Sequence, residues 1–284
     1  GNLVIPDATT SIGNYCFTSC TFNGTLTLGN GLQTIGESAF GGNQSLVGDL
    51  TIPVTVTSLG ASAFSGNVGF NRHLTIDSGI NIPFACFYDC RNFSKLTIAE
   101  GVNIIGESAF ENLSSITGNL KLPNSITSIG ARAFFGCSKI DGYLSLGPNI
   151  TSIGDCAFVK SIDSEEIIQE KEKLSTDPDM DYYDRIIYDD TYYSAIFSKI
   201  YIQSSLPPTI TIKSFGLKET TISDKRFIKR EIVERQPGWS RKRQYDIYNA
   251  YRYRGSYPNH LIVPTGCTAN YSDWEVDLIE EVDF

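Results

Sequence analysis

Seven cysteines and two histidines are the residues of this 284-residue chain best suited to nucleophilic, redox or metal chemistry, and their spacing decides which of these is open. The pairs "CFTSC" (Cys16, Cys20) and "CFYDC" (Cys86, Cys90) place three residues between cysteines, so spaced CxxC pairs for zinc are absent, and the repeat described below accounts for both. A disulfide reading is confined to these same two pairs, and Cys267 fits no pattern. His73 and His260 each stand directly before an apolar-x-apolar triplet, which marks them as occupants of one repeated station and not as partners in a catalytic set. The stretch "DPDMDYYD" opens like a calcium loop with Asp177, Asp179 and Asp181. It then offers Tyr182 at the turn position that requires Gly and Tyr188 where a bidentate Glu belongs. No GxSxG, HExxH, GxxxxGK[ST] or GxGxxG occurs. The expectation is a chain that is not an enzyme and carries no cofactor and no metal.

The elements that position these residues are repetitive. Phe17, Phe40, Phe64, Phe87, Phe110, Phe134 and Phe158 follow one another at 23 or 24 residues, the mark of a solenoid. Upstream of each lies an apolar-x-apolar pair, Leu3/Ile5, Leu26/Leu28, Leu50/Ile52, Leu74/Ile76, Leu96/Ile98, Leu120/Leu122 and Leu144/Leu146, whose period of two describes a short strand with one face buried. Gly or Pro with Asn or Asp then bends the chain ("LGNG", "LPNS", "LGPN"). A second apolar pair follows, such as Ile126/Ile129, and then Gly at 13, 36, 60, 106, 130 and 154. A side-chain-free residue at a fixed station implies either positive φ or close contact between neighbouring coils. One coil buries too little apolar surface to offset the entropy of ordering its residues, so stability must come from stacking.

Three residues beyond the first six of these Phe stand Cys20, Asn43, Asn67, Cys90, Leu113 and Cys137. Alternation of Asn and Cys suits a small buried group bonded to the backbone of a tight turn. Cys16, Cys86 and Cys156 fill the alanine slot before the ring and read as packing residues. The fourth unit, "IDSGINIPFACF", is one residue short and carries Pro83 at the Gly station, so a kink or register slip is expected there.

Read together, these lines resemble the BspA-like leucine-rich repeats of bacterial surface proteins, with their "L-x-I-P-x-x-V-T-S-I-G-x-x-A-F-x-x-C" pattern. The resemblance implies a β-rich right-handed solenoid of 23–24-residue leucine-rich repeats, with parallel strands and short helical turns. Residues 1–160 form seven repeats, 161–197 an acidic insert, 198–216 a degenerate repeat with Phe215 as an eighth ring, 217–258 a basic aromatic insert and 259–284 a C-terminal capping repeat, sealed by a strand and a short helix. Ile200/Ile202 and Leu261/Val263 continue the strand ladder. The resemblance also implies a cell-surface or secreted lipoprotein that binds an extracellular protein or glycan in adhesion. A lipid anchor or export signal is expected upstream, because the sequence opens inside a repeat; a monomer is expected, and no apolar run is long enough to span a membrane.

The net charge of -9 argues against nucleic acid as a partner, but it is unevenly spread. Residues 161–193 hold eleven acidic and three basic side chains, and residues 216–260 hold eleven basic and five acidic. The first insert is expected to open with a short helix from Ser164, and the second to form a hairpin around Pro237-Gly238 with Tyr245, Tyr251 and Tyr253 on one face. The two inserts either neutralise each other or leave the basic one free for an anionic glycan or acidic protein surface. Outward strand positions are the other candidate, with His73, Lys95, Lys121, Tyr143 and Tyr201 as the varied side of the ladder beside a threonine file. Trp239 and Tyr253 lining a groove would instead suit a glycan-binding accessory module of a bacterial surface apparatus.

Overall fold

The computed structural model describes residues 1–140, 142–161, 193–195, 199–203, 209–210, 260–264 and 278–282. Within these residues the chain winds as a parallel β-solenoid, each coil contributing two short strands and one arm of tight turns. A first strand column runs through Leu3–Val4, Leu26–Thr27, Gly48–Ile52, Phe70–Ile76, Lys95–Ile98, Leu120–Lys121 and Leu144–Leu146, and continues in Lys199–Ile202, His260–Pro264 and Leu278–Val282. Register pairs Leu144 with Ile200, Ile200 with Leu261 and Leu261 with Ile279, all parallel. The strand ladder therefore resumes beyond the acidic stretch. A second column comprises Ser11–Ile12, Thr34–Ile35, Ser58–Leu59, Ile104–Ile105, Ser128–Ile129, Ser152–Ile153 and Thr209–Ile210.

The seven phenylalanines form one interior file. Successive ring centroids lie 5.1 to 5.5 Å apart, as in Phe87–Phe110 at 5.5 Å and 4° between planes and Phe110–Phe134 at 5.1 Å. All but Phe17 at the first coil are fully buried. Parallel offset stacking at this separation adds to the apolar burial of each ring. Leu46, Phe70, Phe93, Ile116 and Ile140 make a second interior file, with Phe70 and Phe93 stacked at 5.3 Å.

The arm around each Phe contains no helix among the described residues; the short helical turns expected there are single turns closed by bonds such as Ala39 N–H to Gly36 C=O and Gly41 N–H to Ser38 C=O. Left-handed residues flank the rings. Tyr15, Ser38, Ser62, Ala85, Ser108, Arg132 and Cys156 take the position two before each ring with φ of 48 to 58°, and Ser19, Gly42, Gly66, Asp89, Asn112 and Gly136 the position two after the first six. This alternation turns every second amide toward the next coil. The amides of Ser108, Phe110 and Asn112, for example, donate to the carbonyls of Ala131, Ala133 and Phe135. The same three bonds recur at each boundary from Phe17 to Phe158.

The Gly station settles on close contact and not on φ. A Cβ on Gly130 would lie 2.5 Å from the Glu107 nitrogen and one on Gly60 2.3 Å from the Glu37 nitrogen, while Gly13 in the first coil meets nothing within 4 Å. Each of these glycines except Gly13 also donates its amide to the coil before, as Gly130 does to Ile105 C=O at 2.8 Å. Pro83 lacks that proton. The second column accordingly opens between Leu59 and Ile82, and Ile82 keeps only an isolated bridge to Ile105. Asn81 reinforces the seam to the following coil, its carboxamide oxygen accepting the amides of Asn103 and Ile104. The Phe arm passes this point without slipping: Phe64 and Phe87 stack at 5.5 Å. The register shift that does occur lies one coil earlier, between Gly48 and Leu50 on the strand that pairs with Phe70–Ile76.

Candidate functional site

The Asn and Cys station three residues beyond the ring is structural. Asn67 donates from Nδ2 to the carbonyls of Phe40 and Phe64 at 2.9 and 2.7 Å, and its Oδ1 accepts the amide of Asn43 at 2.7 Å. Cys90 and Cys137 reach the carbonyl of the preceding coil's ring residue at 3.0 and 3.3 Å, so a thiol replaces the carboxamide in the same bond. The six described cysteines are all thiols, none of them in a disulfide. Burial pushes the thiols of Cys90 and Cys137 up to about 12 and that of Cys86 well above its ordinary value, which keeps them protonated and poor as nucleophiles or metal ligands. No group of three or more His, Cys, Asp or Glu gathers to hold a metal among the described residues.

The outward face of the first column carries the sequence-derived candidates. Strand alternation puts Leu74, Ile76, Leu120, Leu144 and Leu146 inside and leaves His73, Lys95, Lys121 and Tyr143 outside, the lysines exposed and His73 and Tyr143 half-buried. His73 Nε2 and the Thr97 hydroxyl are 2.8 Å apart across neighbouring coils. Lys121 Nζ sits 5.8 Å from the Tyr143 ring centroid, within cation–π reach. These are two local couples, and no catalytic geometry joins them. Tyr201 is placed by its backbone beside Ser145 on the next coil.

Other outward residues serve the coil stack. Asn2 Oδ1 accepts the Thr25 amide, Asp49 Oδ1 the His73 amide and Asn119 Oδ1 the Tyr143 amide, at 3.0 to 3.1 Å. Each satisfies a backbone donor one coil further on, so Asp49 and Asn119 are committed within the ladder.

Trp239, Tyr245, Tyr251 and Tyr253, the helix from Ser164, the hairpin around Pro237-Gly238, the ring of Phe215 and the closing helix lie outside the described residues. What is described is the neck of the acidic stretch, where Val159–Ser161 pairs antiparallel with Tyr193–Ala195. Phe135, Cys156 and Val159 form a small buried cluster beneath it. Arg132 lies 3.9 Å over the Phe135 ring and makes a two-pronged ion pair with the buried Glu111. Sequence reasoning missed this cluster, and also the exposed Phe84 and Tyr88 on the turn edge; a period of 23 or 24 residues from Phe135 would have pointed to Tyr88 and Glu111.

A family model for the BspA type leucine rich repeat region matches residues 1–81 and 80–178 in six copies. The chain belongs to this BspA-type leucine-rich-repeat family. A crystal structure of a leucine-rich repeat protein from Bacteroides ovatus ATCC 8483 is similar, with 23% sequence identity and a TM-score of 0.43. The match covers 55% of this chain and 45% of the Bacteroides protein, so this chain spans less than half of that relative. No curated protein matches. As a BspA-type repeat protein the chain is a scaffold of the kind used for protein binding, in a family associated with bacterial surface proteins. No helix among the described residues is long and apolar enough to cross a membrane.

Proposed function

We propose that this chain is a non-enzymatic adhesion module, secreted or displayed at the bacterial cell surface, whose first-column sheet face captures an extracellular protein or glycan. The observation that carries the reading is the outward ladder itself: His73, Lys95, Lys121 and Tyr143 vary from coil to coil on the parallel strands of the first column, while the inward positions of those strands serve packing. Repeat solenoids use such extended surfaces for recognition because each coil contributes one row of side chains at a fixed spacing. Family membership supports a binding scaffold, and the burial of the reactive thiols fits a role without catalysis.

Partner capture on an array of host-matrix proteins and glycans tests it. Wild-type chain should capture a partner that the triple variant Tyr143→Ala, Lys121→Ala, Tyr201→Ala loses at least about tenfold, roughly 1.4 kcal/mol. Unchanged capture by that variant, together with loss on trimming residues 217–257, would move the site to the basic stretch and remove the sheet face from consideration.

A further inference from the structure

Six basic side chains are described on the solenoid, and they sort into two groups. Arg91 and Arg132 are held by Asp89 and Glu111 at 2.6 and 2.5 Å. Arg72, Lys95, Lys121 and Lys139 have no carboxylate partner among the described residues. Three of these four stand on consecutive first-column strands, Phe70–Ile76, Lys95–Ile98 and Leu120–Lys121, and Lys139 lies shortly before the next. All four are exposed. Two nearby carboxylates bond to backbone and not to these cations: Asp49 accepts the His73 amide, and Glu100 accepts the amides of Asn124 and Ser125 at 3.0 and 3.1 Å. Asp77 follows the strand at the end opposite Arg72, about 17 Å away along an extended segment. Of the four, Lys95 and Lys121 take outward positions on the strands of adjacent coils, whereas Arg72 shares the alternation of the inward Leu74 and Ile76 and Lys139 lies in a turn.

In the second column Thr57, Thr127 and Thr151 donate to carbonyls of the preceding coil, and Ser152 bonds Ser128. On the first-column strands from Phe70 to Leu146 the Thr75 hydroxyl makes no bond within the described residues, while that of Thr97 meets His73. Of the exposed large apolar side chains, Val54, Phe84, Tyr88 and Ile104 lie off this column and Val4 lies on its first strand, so the strands from Phe70 to Leu146 carry no exposed apolar anchor of the kind that dominates protein–protein affinity. The half-buried Tyr143 ring beside Lys121 is the flat surface there.

We infer that the first-column face from His73 to Tyr143 is a docking track for an extended anionic polysaccharide, one bearing carboxylate or sulfate groups. Lys95 and Lys121 meet its charges, the Thr75 hydroxyl meets a sugar hydroxyl, and Tyr143 stacks on a sugar ring. The inference rests on the sheet-face reading above and names its ligand class.

Retention of the full chain on immobilised heparin, against immobilised amylose as the neutral control, tests it at about 50 mM and about 300 mM salt, conditions that span the screening of exposed charges. Wild type should be held by heparin at the lower salt, released at the higher, and pass through amylose. Lys95→Gln with Lys121→Gln should weaken heparin binding at least about tenfold, while Arg91→Gln, whose charge is already matched by Asp89, should leave it unchanged. Absence of heparin retention, equal retention by the double variant, or equal binding to amylose would each overturn the inference. So would heparin binding that appears only after residues 162–192 are trimmed, because the chain's own acidic stretch would then be the occupant. If heparin fails but the Tyr143, Lys121 and Tyr201 variant still loses a partner on the array, the sheet-face reading survives and only the ligand class falls.

Discussion

Removing one interior ring of the phenylalanine file should cost much more than removing the first. Phe110 is fully buried and stacks on both sides, 5.5 Å from Phe87 and 5.1 Å from Phe134. A Phe→Ala change in a core costs about 3–5 kcal/mol, and the two stacked pairs, each worth about 0.5–1.5 kcal/mol beyond burial, place Phe110→Ala near the top of that range. Phe17 is half-buried, with one stacked neighbour in Phe40 and an edge contact to Phe22. Phe17→Ala should therefore cost about 1–2 kcal/mol, since a ring already part-exposed loses less transfer energy and leaves a site open to water instead of a void. Phe110→Leu separates the terms: it keeps most of the volume but loses both stacks, and should cost about 1–3 kcal/mol. Thermal unfolding of the full chain followed by far-UV circular dichroism reads this out, with Phe110→Ala lowering Tm by about 10 °C and Phe17→Ala by less than half as much. Equal shifts for the two alanine variants would refute the view that each ring is stabilised by a neighbour on either side.

Gly130→Ala should destabilise by about 1–3 kcal/mol in urea unfolding, because its Cβ would sit 2.5 Å from the Glu107 nitrogen, whereas Gly13→Ala, with open space, should stay within about 0.5 kcal/mol. Asn67→Ala leaves the Phe40 and Phe64 carbonyls and the Asn43 amide without this partner and should cost about 2–4 kcal/mol, while Asn67→Cys should recover part of this, since Cys90 already makes the equivalent bond to Phe64. Burial on folding lifts the thiols of Cys90 and Cys137 from their ordinary 9.0 to about 12, so unfolding releases protons above pH 9. Their contribution is complete below pH 9 and lost as pH climbs toward 12. Tm should fall steeply across that window, and Cys137→Ala should flatten the fall.

The repeat period made the fold legible because every coil submits the same stations to the same environment, and a ring recurring at 23 or 24 residues has only an interior file to occupy. The second file escaped notice because it changes residue type, from Leu46 through Phe70 and Phe93 to Ile116 and Ile140, although its period is identical. Left-handed backbone was half legible. The station two after the ring holds Gly, Asp or Asn in five of six coils, the residues that tolerate that conformation, while the station two before it holds Tyr, Ser, Ala, Arg and Cys. There the inter-coil bonds at Phe−2, Phe and Phe+2 impose the conformation on whatever side chain arrives. On the candidate face, alternation identified which residues point outward but not that Asp49 and Asn119 are engaged by amides 24 residues later. That role depends on a neighbour coil's backbone and leaves no local trace. The long stretches between Phe158 and Ile200 and between Phe215 and Leu261 have no period, and without one the sequence constrains only their charge.

The seams between coils differ in continuity, and the difference explains how the solenoid tolerates an irregular fourth unit. The first column is hydrogen-bonded from coil one to two, from three to five and again from six onward, so its ladder lapses at two boundaries. The second column lapses at a third, between Leu59 and Ile82. No boundary among the described coils loses both, and from Phe17 to Phe158 the Phe arm, with its three amide-to-carbonyl bonds and stacked rings, crosses each boundary. A parallel ladder of two-residue strands contributes few bonds, each worth about 0.5–1.5 kcal/mol net, so a single lapse is tolerated where the arm holds. Loss of the arm would not be, because it carries both the polar seam and the apolar file at the same place. Sequence freedom therefore concentrates on the outward strand positions and at stations such as residue 83, and it is on those strands, held rigid by an arm that never varies, that a binding surface can change residue by residue without loss of the fold.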